Sequence, residues 1–341
     1  MTLVMQDAVR DRKRAEVMDN RLIEQLRAIA PVKTGEFLSR HTTFGIGGPA
    51  DVFVTVRNAD ELARAVTAVR ASGEAIFILG AGSNILVGDG GIRGVVIDNQ
   101  TKATRVEPLH IDPRSRVTLP TAFGKTREGD AVVWAESGVP FASLAKQLAR
   151  DGYSGIEWAA GIPGTMGGAV VYNAGAYEGC LADVLLAVTV LDGANKQRNV
   201  PAADMKLAYR SSAILRGECA GRVVLSVEIA VTKGVSGTLM RRIAELDARR
   251  LSAQPRGRNS GSTFKNPAGD NAWRLIDAAG LRGRRIGEAR LSEKHPNFIE
   301  NLGSAKAVDV AALMHEAQRR VKEQFGIELE TEVELVGEGF A

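Results

Sequence analysis

Residues 261–267 read Gly-Ser-Thr-Phe-Lys-Asn-Pro and follow a basic stretch, QPRGRNS, at 254–260. Hydroxyls, an ammonium and a carboxamide crowd around one aromatic ring, and a proline ends the run. A hydroxyl in that setting donates a proton only with a relaying partner and an acceptor made basic by the reaction. The same residue types also build ordinary turns, in which a serine bonds nearby backbone. The stretch alone leaves both readings open, with Ser262 flanked by the competing hydroxyls of Ser260 and Thr263.

Three glycine-rich runs supply a second chemistry. They are TFGIGGPAD at 43–51, LGAGSNILVGDGGIRG at 79–94 and GIPGTMGGAVVYNAG at 161–175. Glycine lets a backbone turn tightly and bring its N–H groups within hydrogen-bonding range of phosphate oxygens. The second run is not the dinucleotide fingerprint, because Ile85 stands where the third glycine belongs. Three separate loops predict one long cofactor laid along backbone amides, and an extended dinucleotide such as FAD fits better than a single phosphate. No nucleophile elbow, P-loop or HExxH occurs.

Positioning such loops takes sheets. DVFVTV at 51–56 alternates like a strand, Asn58 caps a helix with Leu62, Val66 and Val69 on one face, and AIFILG at 75–80 is a second strand. Strand-like runs at 94–98, 131–137, 185–192 and 222–232 surround one helix that opens at Pro140 and closes on Gly152, which predicts a mixed or antiparallel sheet. Residues 236–252 form a basic amphipathic helix, and 328–337 alternate as a final strand free to join any sheet. The 341 residues predict two or three domains, and a net charge of +4 is too small to argue for nucleic acid. Cys180 and Cys219 without a CxxC indicate reduced thiols, neither a disulfide framework nor a zinc site. No apolar run approaches a membrane span and no signal peptide opens the chain, so a cytoplasmic protein is expected.

The ordered motifs HTTFGIGGPAD, LGAGSNILVGDGGIRGVVI, GIPGTMGGAVVYNAGAY, AYRSS, GSTFKNP, SEKHPNFIEN and ETEV resemble the UDP-N-acetylenolpyruvoylglucosamine reductase (MurB) family over about residues 20–337. The first two-thirds also resembles the wider PCMH or vanillyl-alcohol-oxidase flavoprotein superfamily. The resemblance implies an α+β fold: two FAD-binding subdomains at 21–98 (with the terminal strand at 326–341) and 99–233, then a smaller α+β substrate-binding domain at 234–325. Residues 1–20 read as a polar extension. It further implies NADPH as reductant and reduction of the enolpyruvyl ether of UDP-N-acetylglucosamine to UDP-N-acetylmuramate, for peptidoglycan synthesis. Another PCMH-type sugar or alcohol oxidoreductase, or a non-catalytic nucleotide-binding scaffold, are the competing readings.

Residue by residue, the resemblance makes Arg210 the group that meets the substrate carboxylate, Glu332 a protonated acid and Ser262 the proton donor. The periodicity alone does not single out Glu332 from Glu328, Glu330 and Glu334. FAD contacts fall on Thr43, Gly47, Gly80, Gly82, Ser83, Asn84, Gly161, Gly164, Thr165, Gly168, Asn173 and Gly175. Substrate contacts fall on Tyr209, Arg250, Asn266 and His295, with Lys265 and Asn297 as weaker candidates and no metal. None of His41, His110, His295 and His315 lies in the first phosphate loop, so FAD is expected to be non-covalent, with Cys180 the one thiol near enough to matter. No tyrosine follows Tyr209, so the tyrosine-bearing loop of some family members is missing. A monomer is expected, with neither membrane insertion nor nucleic acid.

Overall fold

A computed structural model describes residues 20–109, 117–120, 126–177, 179–219 and 221–340. The polar extension read at 1–20, apart from Asn20, lies outside the described residues, as do His110 and part of the polar stretch 99–130.

The first unit is a four-stranded sheet in the order Val32–Phe37, Pro49–Val56, Ile92–Asn99, Ile76–Leu79. The first of these runs antiparallel to its neighbour, and the other three are parallel. The helix Ala59–Ser72 connects two of the parallel strands and buries Leu62, Val66 and Val69, the stripe read from the sequence. Asn58 accepts the Glu61 N–H at its start, a cap worth about 1 kcal/mol. Gly73, at φ 78°, ends it.

The second unit is an antiparallel sheet in the order Gln197–Pro201, Leu185–Leu191, Val223–Lys233, Ala131–Glu136, Thr104–Pro108. The helix Phe141–Arg150 starts after Pro140 and buries Phe141, Leu144, Ala145 and Leu148. A third unit sets the helices Ala272–Ala278 and Ala307–Phe325 beside the small sheet Arg285–Ile286, Ala289–Leu291, Ile299–Asn301. Its core takes in Phe264 from the hydroxyl-rich stretch and Phe44 and Ile46 from the first glycine run.

Three segments depart from the sequence reading. The run 94–98, read with the mixed or antiparallel strands, lies in the first sheet as Ile92–Asn99, parallel to both its neighbours, because the helix Ala59–Ser72 returns the chain for a parallel pairing. The third glycine run contains a helix, Met166–Tyr172, which begins where Thr165 accepts the Gly168 N–H. Glycine inside a helix costs about 1 kcal/mol each, offset here by that cap and by burial of Met166, Ala169 and Val170. The alternating stretch 328–337 forms a strand only at Glu334–Val336, parallel to Ile85–Val87. Just before it, the chain pairs elsewhere: Lys265 N–H donates to Glu330 O (2.9 Å) and Glu332 N–H to Thr263 O (2.8 Å). The alternation covers a segment that pairs first with the hydroxyl-rich stretch, bends at Glu332 and Val333, and then changes partner.

The second half of the second glycine run closes the fold. Gly88 N–H donates to Val336 O (2.9 Å), Gly90 N–H to Glu338 O (2.8 Å) and Glu338 N–H to Gly91 O (2.9 Å). A Cβ on Gly88 would lie 2.0 Å from Glu338 O, so only glycine fits. Between them the Asp89 carboxylate accepts the N–H groups of Ala307 (3.0 Å) and Val308 (3.3 Å), at the start of the third unit's long helix.

Candidate active site

All three units contribute to one cavity of about 670 Å³. Its wall includes the main chain from Gly80 to Asn84 in the second glycine run and Gly164, Thr165, Gly168 and Gly175 in the third, together with Arg210, Arg250, Ser262 and Glu332. The two runs touch: a Cβ on Gly80 would stand 2.8 Å from Thr165 Oγ1. Gly82, at φ 59°, passes so close to His41 that a Cβ would lie 2.2 Å from its carbonyl oxygen. Close packing of this kind lets the main chain of both runs line the cavity, the surface that a phosphate-bearing cofactor takes.

Four residues read as cofactor contacts stand behind that wall. Thr43 braces the loop, its N–H donating to Gly82 O at 3.0 Å. Gly47, at φ 144°, wedges between Leu38 and Val87. Gly161 faces the Arg250 stem. Asn173, buried and at φ 43°, donates from Nδ2 to Ala208 O (2.9 Å) and accepts the Ala182 N–H (3.0 Å), so it holds the turn that carries Arg210.

That turn is closed by reciprocal main-chain bonds between Ala208 and Ser211. Within it Arg210 adopts φ 51°, a left-handed conformation costing a non-glycine residue about 1–2 kcal/mol. The strained backbone aims the guanidinium inward. Nε donates to Glu332 Oε1 at 2.5 Å and Nη2 to Gly175 O at 2.8 Å, while the exposed Tyr209 ring lies 5.3 Å away and off the cavity wall. Burial pushes the Glu332 carboxyl above the usual carboxylate range, and the Arg210 and Lys265 cations pull it partly back.

Ser262 is held from two sides. Its residue pairs with Phe298 as an antiparallel bridge, and Phe264 pairs with Thr331 on the Glu332 side. Asn297, buried, clamps the loop: Oδ1 accepts the Phe264 N–H (2.9 Å), Nδ2 donates to Phe264 O (2.8 Å), and its carbonyl accepts the Thr263 N–H (2.7 Å). Of the competing hydroxyls, Ser260 also reaches the cavity and Thr263 does not, and both are buried without a hydrogen-bond partner. Asn297→Ala strips two buried groups of Phe264 of their partners, an expected loss of roughly 2–4 kcal/mol, read as a lower midpoint in urea unfolding. An unchanged midpoint would mean the clamp is dispensable.

The remaining candidates divide. Arg250 lines the cavity, and burial lowers its guanidinium pKa, with Tyr177 and Asp247 acting in the opposite direction. Asn266 is exposed, lies off the wall and accepts the Ala272 N–H at 3.1 Å, where the following helix begins. His295 packs between Trp273 and Phe298, ring centroids 6.3 and 4.8 Å away, with Nδ1 buried and unpartnered. Burial lowers its pKa, and it too stands behind the wall. Lys265 pairs with Glu330 at 3.2 Å. Tyr172, Tyr177 and Glu334 line the cavity without having been singled out from sequence, and Arg249, in the basic run at 248–250, lines it beside Arg250. The signal available for Glu334 was the parity it shares with Glu332. Neither thiol lines the cavity, and burial raises the pKa of Cys180. Among the described residues no cluster of His, Cys, Asp or Glu could hold a metal, and no helix is long and apolar enough to cross a membrane.

Residues 50–200 match the family described as FAD binding domain, which with the glycine-lined cavity defines a flavoprotein. Residues 253–336 match the UDP-N-acetylenolpyruvoylglucosamine reductase C-terminal domain. The UDP-N-acetylenolpyruvoylglucosamine reductases of Clostridium tetani and Desulfosudis oleivorans are 37% identical over 318 residues and 40% identical over 312, covering 93% and 90% of this chain and 95% of each relative. The crystal structure of the reductase (MurB) from Thermus caldophilus superposes with a TM-score of 0.71 at 34% identity, covering 90% of this chain and 100% of that one. The chain belongs to the UDP-N-acetylenolpyruvoylglucosamine reductase family.

Proposed function

We propose that this flavoenzyme reduces the enolpyruvyl ether of UDP-N-acetylglucosamine to UDP-N-acetylmuramate, with NADPH as reductant, in peptidoglycan precursor synthesis. The observation that carries the reading is the meeting of Arg210, Ser262 and Glu332 on one cavity wall that also bears both cofactor loops. The wall suits FAD, because the glycines at 80, 82, 164, 167 and 168 line it and main chain of this kind can offer N–H groups to phosphate oxygens. Bound there without a covalent link, FAD would supply two-electron hydride chemistry between NADPH and C3 of the enolpyruvyl group.

The chain's own residues manage the charge. Hydride arrival at C3 loads negative charge onto the conjugated carboxylate, and the Arg210 fork meets it with parallel charge-assisted bonds. A carboxylate arriving there competes with Glu332 for the guanidinium and, as a like charge, raises the Glu332 pKa further. Glu332 therefore works protonated and adds no opposing charge. Ser262 gives its proton to C2. Arg250 meets the diphosphate, while Asn266 and His295 support the loop and the wall from behind. One chain supplies all three units of the cavity, which supports a monomer, and the free Cys180 and Cys219 suit the reducing cytoplasm.

The test is colour. The purified protein is expected to be yellow, to bleach anaerobically with NADPH and to recolour with the enolpyruvyl UDP-sugar. Heat denaturation is expected to leave the flavin in the supernatant. A colourless protein that FAD cannot reconstitute would overturn the reading.

A further inference from the structure

The Tyr172 hydroxyl donates to Glu334 Oε2 at 2.5 Å, and both side chains stand in the cavity wall. The chemistry above uses neither. Yet the bond joins two segments that carry the site. Tyr172 ends the helix Met166–Tyr172 that grows from the third glycine run, and Glu334 lies two residues beyond Glu332.

Asn84 ties the same region a second time. Its carbonyl accepts the Glu334 N–H at 3.1 Å, and its Nδ2 donates to Glu332 O at 3.0 Å. Both carboxylates line the same cavity and Asn84 holds the main chain at both residues across the bend between them, so what fixes Glu334 also bears on the direction of Glu332. The Glu332 carboxyl is otherwise anchored by Arg210, the guanidinium that must turn to the substrate carboxylate. When that happens, the anchor that persists is the one at Glu334. Burial, reinforced by the neighbouring carboxylate, holds the Tyr172 pKa far above its ordinary value, so its hydroxyl keeps its proton to donate.

We infer that Tyr172 and Glu334 are a positioning pair, whose hydrogen bond holds the Glu332-bearing segment against Asn84 while Arg210 engages the substrate. The inference rests on the proposed reduction of the enolpyruvyl sugar.

The experiment uses the FAD-loaded enzyme, with rates normalised to bound flavin. Tyr172→Phe is expected to bleach with NADPH within about twofold of the wild-type rate, while its limiting reoxidation rate at saturating sugar falls about tenfold, with little change in the half-saturating concentration. Glu334→Ala should match it, and Glu334→Gln, which keeps an acceptor oxygen for the hydroxyl, should retain most of the rate. The double variant Tyr172→Phe/Glu334→Ala should be no slower than either single one, since the two share one interaction. Wild-type reoxidation by Tyr172→Phe, additive losses, or Glu334→Gln as slow as Glu334→Ala each overturn the pair. So does loss of flavin or equal slowing of both half-reactions, which marks a purely structural role. A wild-type enzyme that the sugar cannot recolour would instead remove the proposed function itself, so the two failures are distinguishable.

Discussion

Ser262→Ala is expected to be bleached by NADPH at nearly the wild-type rate and reoxidised by the enolpyruvyl UDP-sugar about a thousandfold more slowly. The asymmetry follows from where the residue acts. Hydride transfer into the flavin needs no proton at C2 of the sugar, whereas turnover of the sugar does. The substitution removes one oxygen and leaves the backbone bridge to Phe298 and the Asn297 clamp in place, so the loop survives to report on the hydroxyl alone. Ser260→Ala is the control, because Ser260 also lines the cavity. Stopped-flow absorbance of the flavin separates the two half-reactions. If both ran at normal rates in Ser262→Ala, another group would be the donor.

Arg210→Lys is expected to lower the limiting reoxidation rate by roughly a hundredfold to a thousandfold, even though the charge is kept. A point ammonium lacks the planar fork that reaches Glu332 and Gly175 together and presents parallel donors to a carboxylate. Arg210→Met adds a pH test. Burial raises the Glu332 pKa and Arg210 opposes that rise, so removing the cation moves the pKa up again. The carboxyl is neutral below its pKa and charged above it. The pH at which reoxidation declines should therefore shift upward in Arg210→Met, on a much lower plateau. A plateau near the wild-type value, or a shift downward, would contradict the assigned charge balance.

The sequence shows local structure to the residue and long-range structure poorly. The helix Ala59–Ser72 is legible to both ends because Asn58 and Gly73 are local signals. Alternating runs likewise reveal strands of both sheets, but neither the edge strand Val32–Phe37 nor the place of Ile92–Asn99 between the first sheet's parallel strands. The helix Met166–Tyr172 is hidden because its cap, Thr165, sits among glycines that argue for a loop. The stretch 328–337 misleads because alternation records extended backbone but not which partner each half finds. Asn266 sits in the right motif, and its Oδ1 also accepts the Ala272 N–H, a role in starting the next helix that the motif does not announce. Glu332 and Glu334 share a parity that does face the cavity, but only Arg210 and Tyr172, brought in from other segments, distinguish the two.

The clip between residues 88–91 and 336–339 has a consequence for assembly. Gly88 and Val336 are 248 positions apart, and Asp89 reaches across to Ala307. Contacts this distant in sequence form after the loop between them has closed, which makes them late events in folding. During vectorial synthesis both glycine-rich cofactor loops emerge well before Ser262 and Glu332. Yet the strand Ile85–Val87 that follows the first of these loops pairs with Glu334–Val336, so the cavity is completed when the last segment arrives. The clip joins that last segment to the second glycine run while Asp89 holds the start of the third unit's long helix, so a chain lacking its final residues lacks the catalytic wall.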